Sequence, residues 1–421
     1  MMTAAASLPE SPYAWLRLTA ALAIMTIGCV GMYVVTVALP LIQAEFGVTR
    51  SGASLPYTFT MLGFGVGGIL MGRLTDRYGA AVPVLLGGMS LGLGFIAASY
   101  STGFVQFALA HGLVIGLLGC SATFSPLVAD ITFWFTRRRG IAVAICSSGI
   151  YLSGALWPPI TQHFFETIGW RATYVGIGIF CMATILPLSL ALRRRPPALD
   201  GTAGADSVAG RSYPMLGLSP AVLQTLLFTA GVTCCVAMAM PQVHIVAYCG
   251  DLGFGAARGA QMLSLMLGFG ILSRLASGWI CDRIGGLRTL LIGSGLQAVA
   301  LVLFLPFDGL GALYAVSALF GLVQGGIVPS YTIIVRELFP PREAATRVGV
   351  VLMATLLGMA LGGWMSGAIF DLTGSYAAAF ANGIGWNLLN IAIAGELLRR
   401  SARVARPARQ SSSEKPNSIA G

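Results

Sequence analysis

Charged side chains are scarce in this sequence. Of its 421 residues, 25 are Lys or Arg, 15 are Asp or Glu and three are His, so charged residues make up only 10% of the chain. Hydrophobic residues make up 56%, and the mean hydropathy is +0.82. This composition cannot close around one water-soluble core without leaving a large apolar surface. The solvent of the folded chain is therefore expected to be lipid.

Histidine and cysteine are too few, or too poorly spaced, for a catalytic metal centre. A haem-copper oxidase of similar span number needs about half a dozen buried imidazoles, and this chain has only three. The eight cysteines show no Cys-x-x-Cys or Cys/His ligand spacing, which indicates reduced core residues. No Walker loop, dinucleotide fingerprint or Ser-His-Asp set is present in a suitable loop. We therefore expect neither an enzyme nor a bound cofactor or metal.

Long apolar stretches fill most of the chain. A hydrocarbon layer about 30 Å thick needs roughly 20 apolar residues for each helical span. The hydropathy pattern predicts twelve spans, near 16–39, 53–72, 81–100, 105–129, 140–161, 171–192, 220–247, 260–280, 288–306, 310–335, 346–369 and 376–398. The predicted fold is an all-α membrane protein with six-helix bundles over 1–192 and 220–398, a linker over 193–219 and a disordered basic tail over 399–421.

One loop pattern occurs in both halves. Gly72–Gly79 reads Gly-Arg-Leu-Thr-Asp-Arg-Tyr-Gly, and Gly278–Gly285 reads Gly-Trp-Ile-Cys-Asp-Arg-Ile-Gly. Both follow the pattern Gly-x-x-x-Asp-Arg-x-Gly, and both lie after the second span of a half. Recurrence at equivalent places indicates two parallel repeats related by an axis along the membrane normal.

The arginines are distributed very unevenly between the two sides of the predicted bundle. Loops that stay in the cytoplasm keep positive charge, whereas short translocated loops lose it. Only Arg50, Arg171 and Arg258 fall on one side, and the other side carries Arg73, Arg77, Arg137, Arg138, Arg139, Arg193, Arg194, Arg195, Arg211, Arg283, Arg288, Arg336, Arg342, Arg347 and the tail arginines. We expect a multi-pass protein of the inner (plasma) membrane with both termini cytoplasmic, and no nucleic-acid partner.

The repeated loops resemble the cytoplasmic loop motif of the major facilitator superfamily. This resemblance implies a two-lobed transporter that works by alternating access. The acid of such a loop can pair with arginines and with a helix N-terminus and so latch the cytoplasmic side. The gating residues implied are Arg73, Asp76, Arg77, Asp282 and Arg283; the alternative is a simple turn with topogenic charge. The first copy departs from the family pattern at Ala80-Ala81, where a basic pair is usual.

Within that superfamily, the chain most resembles the bacterial monocarboxylate and oxalate/formate transporter group. The resemblance is carried by segments at 41–50, 134–142, 157–159 with 169–171, and 370–376. The fifth span reads Ser153-Gly-Ala-Leu-Trp-Pro-Pro159 and lacks the Gly-rich motif, with Gly-Pro followed by small residues, that proton-coupled drug exporters of the superfamily usually carry. This difference disfavours an efflux pump.

Arg274 is the one full charge near the middle of a predicted span. It lies about 12 Å from the cytoplasmic helix end, at 1.5 Å rise per residue, and at that depth an arginine costs at least ~3 kcal/mol. A guanidinium can donate two parallel hydrogen bonds to a carboxylate, and the resemblance implies an essential arginine in this span. The alternative is an arginine whose side chain reaches the interface. Gly270 stands where animal members carry an aspartate, and Lys415 is the only lysine, so one carboxylate per substrate is expected.

Other polar groups in the predicted spans could complete a binding site. Buried tyrosines and amides are also common in cores, so each is a candidate only. Histidine titrates near neutral pH, which makes His244 the preferred proton carrier. The alternative, a helix-end histidine bonded to a carbonyl, fits this residue equally well. His111 is a weaker candidate, and His163 lies in an outer loop. The predicted substrate-binding residues are Arg274, Tyr33, Tyr151, His244, Gln324 and Tyr331.

These inferences together predict a secondary active transporter that moves a small organic anion, a monocarboxylate, across the inner membrane with proton symport. Its expected partners are the anion, the proton and the lipid bilayer, and the protein is expected to be monomeric. The alternative is an exporter or exchanger of a larger aromatic or neutral compound on the same fold.

Overall fold

The computed structural model describes residues 10–135, 137–194 and 216–413. Within these ranges the chain is helical, without a β-strand, and twelve helices are long and apolar enough to cross a membrane. Their spans are α1 (Pro12–Phe46), α2 (Arg50–Tyr78), α3 (Ala81–Ser99), α4 (Phe104–Trp134), α5 (Gly140–Ile168), α6 (Trp170–Leu192), α7 (Pro220–Asp251), α8 (Ala256–Ile284), α9 (Gly286–Leu303), α10 (Leu310–Leu338), α11 (Thr346–Thr373) and α12 (Tyr376–Arg403). The predicted all-α membrane fold is confirmed.

The helices form two lobes, α1–α6 and α7–α12, and these meet mainly where α2 packs on α11 and α5 packs on α8. The two contacts are equivalent, since α2 corresponds to α8 and α5 to α11 in the two repeats. Of the predicted linker 193–219, residues 195–215, including Arg195 and Arg211, lie outside the described residues. The predicted domain boundaries therefore stay a prediction.

With twelve spans, α1 begins and α12 ends on the same side of the bundle. We call this the terminus side, and the other the opposite side. The sequence predicts that the terminus side is cytoplasmic, because most arginines lie there.

Four helices are interrupted within the bundle. α1 breaks at Cys29 and α5 at Ser148, α10 breaks at Gly325–Gly326, and α4 contains a π-helix over Ala110–Gly119 followed by a 3₁₀ turn. Interrupted backbone is tolerated at membrane depth only where protein or a cavity covers the freed polar groups. The breaks in α5 and α10 flank α8, the helix that carries Arg274.

Several helices are longer than the sequence predicted. α1 continues to Phe46 and α7 to Asp251, and the helix of α12 runs on to Ser413. The structure thus differs from the predicted disorder of the tail up to residue 413. Arg and Ala are good helix formers, and Arg400 pairs with Glu396 one turn earlier at 2.8 Å, which favours continued helix. Residues 414–421 of the predicted tail lie outside the described residues.

A buried ion pair joins three helices of the first lobe at the terminus side. Arg17 of α1 is 1% exposed and Asp130 of α4 is 4% exposed. Arg17 Nε and Nη2 donate to the two carboxylate oxygens at 2.7 and 2.8 Å, and Nη2 also donates to the Leu192 carbonyl of α6 at 3.0 Å. The guanidinium is therefore bonded to both α4 and α6, and the carboxylate compensates its charge.

We predict that Asp130→Ala destabilises the protein by about 3 to 5 kcal/mol, since it leaves the Arg17 charge buried and unpaired. The double change Arg17→Met with Asp130→Leu should recover most of that loss, because both charges are then removed together. The measurement is the unfolding temperature of each purified variant in one detergent.

Glu343→Ala is the matched control, because it breaks the exposed Arg347–Glu343 pair, whose carboxylate is 54% exposed. That change should cost less than about 0.5 kcal/mol. Equal effects of Asp130→Ala and Glu343→Ala would contradict a stabilising role for the buried pair.

Candidate functional site

Arg274 lies at the interface between the two lobes. Its guanidinium carbon is 5.3 Å from the ring centroid of Tyr151 in α5, and its Nη1 is 3.5 Å from the carbonyl oxygen of Ser147. A helical segment of α5 ends at Ser147, so this carbonyl is among the groups without a partner in the helix. The cation thus belongs to the second lobe, and its contacts belong to the first.

Glycines set the position of this part of α8. A Cβ at Gly270, one turn before Arg274, would lie 2.7 Å from the Tyr151 ring. A Cβ at Gly325 would lie 2.2 Å from the Gly270 carbonyl oxygen. α8 is therefore held closely between α5 of the other lobe and the broken part of α10, an approach that only small residues permit.

Arg274 differs from the other arginines that are embedded in the protein. Arg17 is bonded to Asp130, and Arg50 donates to Asp251 at 3.0 Å, whereas within the described part of the chain Arg274 has no carboxylate partner in ion-pair range. A guanidinium carries five N–H donors. One of these donors makes the weak bond to Ser147, and the others remain available to an anion. An intramembrane cation without an acidic partner is by default a functional-site hypothesis.

Two predicted tyrosines adjoin this arginine. Tyr151 lies beneath the guanidinium, and the Tyr33 ring packs on Gly154, where a Cβ would come within 2.8 Å of its Cζ. Tyr33 is within electrostatic range of Tyr151, Tyr57 and Arg274. The structure therefore brings Arg274, Tyr151 and Tyr33 together, whereas Tyr57 of α2 packs on Gly363 of α11, where a Cβ would come within 3.1 Å of its ring.

The remaining candidates of the second lobe have partners of their own. Tyr331 donates from its hydroxyl to Asn390 Oδ1 at 2.8 Å and is fully buried. Gln324 Oε1 accepts from Gln242 Nε2 at 2.6 Å. Gln324 precedes Gly325, which packs on Gly270, one turn before Arg274. Tyr331 therefore lies in the core of the second lobe, and the described bond of Gln324 is to a residue of that same lobe.

His244 lies at the opposite side of the bundle, away from the Arg274 cluster. Its Nε2 is 2.8 Å from the Gly363 carbonyl oxygen of α11, and its Nδ1 is 3.3 Å from the Tyr376 hydroxyl of α12. This is the alternative of a histidine bonded to a carbonyl. His111 Nε2 is 3.2 Å from the Tyr174 hydroxyl inside the first lobe, and His163 is exposed. Among the described residues, no three His, Cys, Asp or Glu side chains cluster to hold a metal.

A charge network closes the two lobes at the opposite side. The Asp371 carboxylate of α11 accepts from the backbone N–H groups of Arg50 and Ser51, at 2.8 Å each, at the start of α2. The Arg50 side chain donates to Asp251 of α7 at 3.0 Å and lies 4.7 Å over the Phe370 ring. An anion at a helix N-terminus is a favourable contact. The arginine distribution predicts only a topological role for Arg50, and this network was not predicted.

The predicted gating residues at the terminus side are all exposed: Arg73, Asp76, Arg77, Asp282 and Arg283. None of them forms an ion pair with another described residue, and Arg283 instead stacks on Trp279 at 3.7 Å. Of the hydrogen bonds located between described residues of the two lobes, the one nearest the terminus side joins Arg274 to Ser147. The lobes thus contact each other at the opposite side and at mid-depth, and the predicted latch stays a prediction.

The family model of the Major Facilitator Superfamily matches residues 21–313 and 271–420 of this chain. The chain belongs to the major facilitator superfamily. This confirms the family that the repeated loop motif indicated, and it makes the chain a multi-pass membrane transporter rather than an enzyme.

Relatives and solved structures agree with this assignment. The chain is 29% identical to monocarboxylate transporter 13 of Bos taurus over 315 residues, which are 73% of this chain and 71% of the relative. Its fold is similar to that of a bacterial homologue of the human lysosomal transporter Spinster, inward-facing and unoccupied, with a TM-score of 0.65, 16% identity and coverage of 93% and 96%. A peptide transporter in complex with sulfate gives a TM-score of 0.72 at 15% identity, with coverage of 94% and 98%.

We predict that Gly325→Ala destabilises the protein by about 1 to 3 kcal/mol, since the added methyl group meets the Gly270 backbone and forces α10 from α8. Gly311→Ala, in the same helix, is the control, because its Cβ would meet no described heavy atom within 4 Å. Thermal unfolding in detergent compares the two. Equal unfolding temperatures would mean that the close approach of α8 and α10 does not stabilise the site.

Proposed function

We propose that this protein is a secondary active transporter for small organic anions, in particular monocarboxylates, and that Arg274 binds the carboxylate. The observation that carries the proposal is a mid-membrane guanidinium between the two lobes with no acidic partner among the described residues. Its planar fork matches the two oxygens of one carboxylate. A substrate anion would give Arg274 the negative partner that Asp130 gives Arg17.

The surroundings of Arg274 support a substrate with one carboxylate and a flat or apolar body. Tyr151 and Tyr33 present aromatic surface from the first lobe to the arginine. No second embedded cation without an acidic partner adjoins it among the described residues, so a dicarboxylate would leave one charge uncompensated. A relative that is 29% identical bears the name monocarboxylate transporter, which supports the same class of substrate.

The distribution of contacts between the lobes supports alternating access. In this structure the opposite side is closed by Arg50, Asp251 and Asp371, and the charged loops of the terminus side are exposed. The reverse state would break the Arg50 network and bring the Asp76 and Asp282 loops into contact. Substrate at Arg274 would contact both lobes, so it can favour the exchange between the two states.

We further propose that transport is coupled to protons, with His244 as the titrating group. His244 Nε2 donates to the Gly363 carbonyl, which leaves the Nδ1 lone pair towards the Tyr376 hydroxyl. The ring centroid of Tyr376 lies 5.8 Å from the guanidinium carbon of Arg50, and Asp371 binds the start of α2, the helix that carries Arg50. A proton on His244 would therefore add a positive charge beside the network that closes the opposite side.

We predict that Arg274→Lys abolishes the uptake of radiolabelled monocarboxylate into proteoliposomes, because an ammonium cannot reproduce the fork of the guanidinium. Loss of the bidentate pair should lower uptake by at least about tenfold. The test set is lactate, pyruvate, formate, oxalate, aromatic acids and neutral compounds, screened first by thermal shift of the wild-type protein.

Arg258→Lys is the matched control, since Arg258 is exposed at the start of α8 and donates a hydrogen bond to Gln261 Oε1 at 3.2 Å. Normal uptake by Arg274→Lys would refute the carboxylate site. Stabilisation only by large neutral or cationic compounds would instead support the exporter alternative. Uptake that does not depend on an imposed pH gradient would refute only the proposed proton coupling.

We predict opposite effects for changes at the two gates. Asp371→Asn should open the opposite side, because it removes the negative charge at the start of α2. That contact contributes about 1 kcal/mol, so its loss should shift the ratio of the two states about fivefold. Asp76→Asn should favour the closed opposite side, since it weakens the latch that forms in the other state.

The measurement is the spin-label distance between cysteines introduced at Ala44 and Arg258, which are exposed at the opposite side in different lobes. The eight native cysteines are buried and should label poorly. Asp308→Asn, in an exposed loop of the second lobe, is the control. Identical distance distributions for all three variants would contradict these gate assignments.

A further inference from the structure

A groove runs along the lipid-facing surface of the second lobe, between α9 and α12 near the terminus side. Its volume is about 520 Å³, within the range of sites that hold small ligands. The residues that line it include Leu291, Ile391, Gly395, Leu398, Arg399 and Ala402. All of them except Arg399 are apolar, so the floor of the groove suits a hydrocarbon chain.

The spacing of these residues explains the groove. Ile391, Gly395, Leu398 and Ala402 recur every three or four positions, which places them on one face of α12. Gly395 is the gap in that face: a Cβ built on it would meet no described heavy atom within 4 Å. The absence of a side chain at Gly395 therefore leaves this part of the groove open.

Positive charge surrounds the terminus-side end of the groove. The Arg399 side chain is 79% exposed, and Arg403 follows one turn later on the same face and is exposed. Arg288 of α9 is exposed and lies one turn before Leu291, towards the terminus side. Glu396 is the nearby acid, but it pairs with Arg400 at 2.8 Å and stays 3.9 Å from Arg399. The end of the groove thus keeps a net positive charge.

We propose that this groove binds an anionic glycerophospholipid, with one acyl chain between α9 and α12 and the phosphate at Arg288, Arg399 and Arg403. Basic pockets between membrane helices on the arginine-rich side recognise anionic headgroups, and the apolar floor adds hydrocarbon contact. A zwitterionic lipid would offer the same chain without net charge. A soluble phosphate would offer charge without the chain.

The experiment uses the full-length protein, delipidated in a neutral detergent. Dioleoylphosphatidylglycerol, dioleoylphosphatidylcholine and glycerol 1-phosphate are added separately, and bound molecules are counted by native mass spectrometry alongside thermal unfolding. We expect one tightly held phosphatidylglycerol and a raised unfolding temperature, with neither effect from the other two compounds. Equal retention of the two lipids, or an equal effect of glycerol 1-phosphate, would overturn the proposal.

Two kinds of variant locate the site. Gly395→Leu fills the groove and should abolish tight retention, whereas Gly385→Leu, at an equally open position of the same helix, should leave it unchanged. Arg399→Gln and Arg403→Gln should each weaken retention by about fivefold, whereas Arg258→Gln at the opposite side should not. If Gly395→Leu does not fold, the arginine variants decide alone. Unchanged retention in them would refute the site, and the readout is independent of transport.

Discussion

The cost of holding a charge away from water governs this structure. A guanidinium inside a lipid-surrounded bundle needs an opposite charge, and both Arg17 and Arg50 receive one from an aspartate on another helix. Those pairs fix where helices meet. Arg274, which is only partly buried, has a ring and one carbonyl as its described contacts, and it lacks the carboxylate that makes the other two arginines structural.

Close packing of small residues makes the lobe interface possible. α8 approaches α5 through Gly270 and Gly154, and it approaches α10 through Gly325. Lipid supplies no hydrophobic drive for helix association, so such contacts rely on van der Waals packing and on backbone proximity. The same contacts place the Tyr151 ring beneath the guanidinium. The surroundings of Arg274 are therefore built from surfaces of both lobes.

The features that were predictable from the sequence are those that depend on local composition or on repetition. Span number, the two halves and the family follow from hydropathy and from the repeated Asp-Arg loop. Arg274 was identifiable because a lone charge in an apolar run is costly wherever the helix packs. Tyr33, Tyr151 and Tyr331 were all predicted as polar groups within spans; the first two lie near Arg274, whereas Tyr331 bonds to Asn390 in the core of its own lobe.

The sequence by itself determined that the chain spans a membrane twelve times in two related halves and that one arginine would lie at mid-depth. The spans and the depth of the arginine follow from transfer free energy along each helix, and the halves follow from the repeated Asp-Arg loop. The tertiary structure alone decided which polar groups face one another: that Asp371 binds the start of α2, that His244 bonds to Gly363, and that Arg274 meets Tyr151. Those contacts join residues far apart in the chain, and helix rotation and packing, which no local pattern encodes, set them.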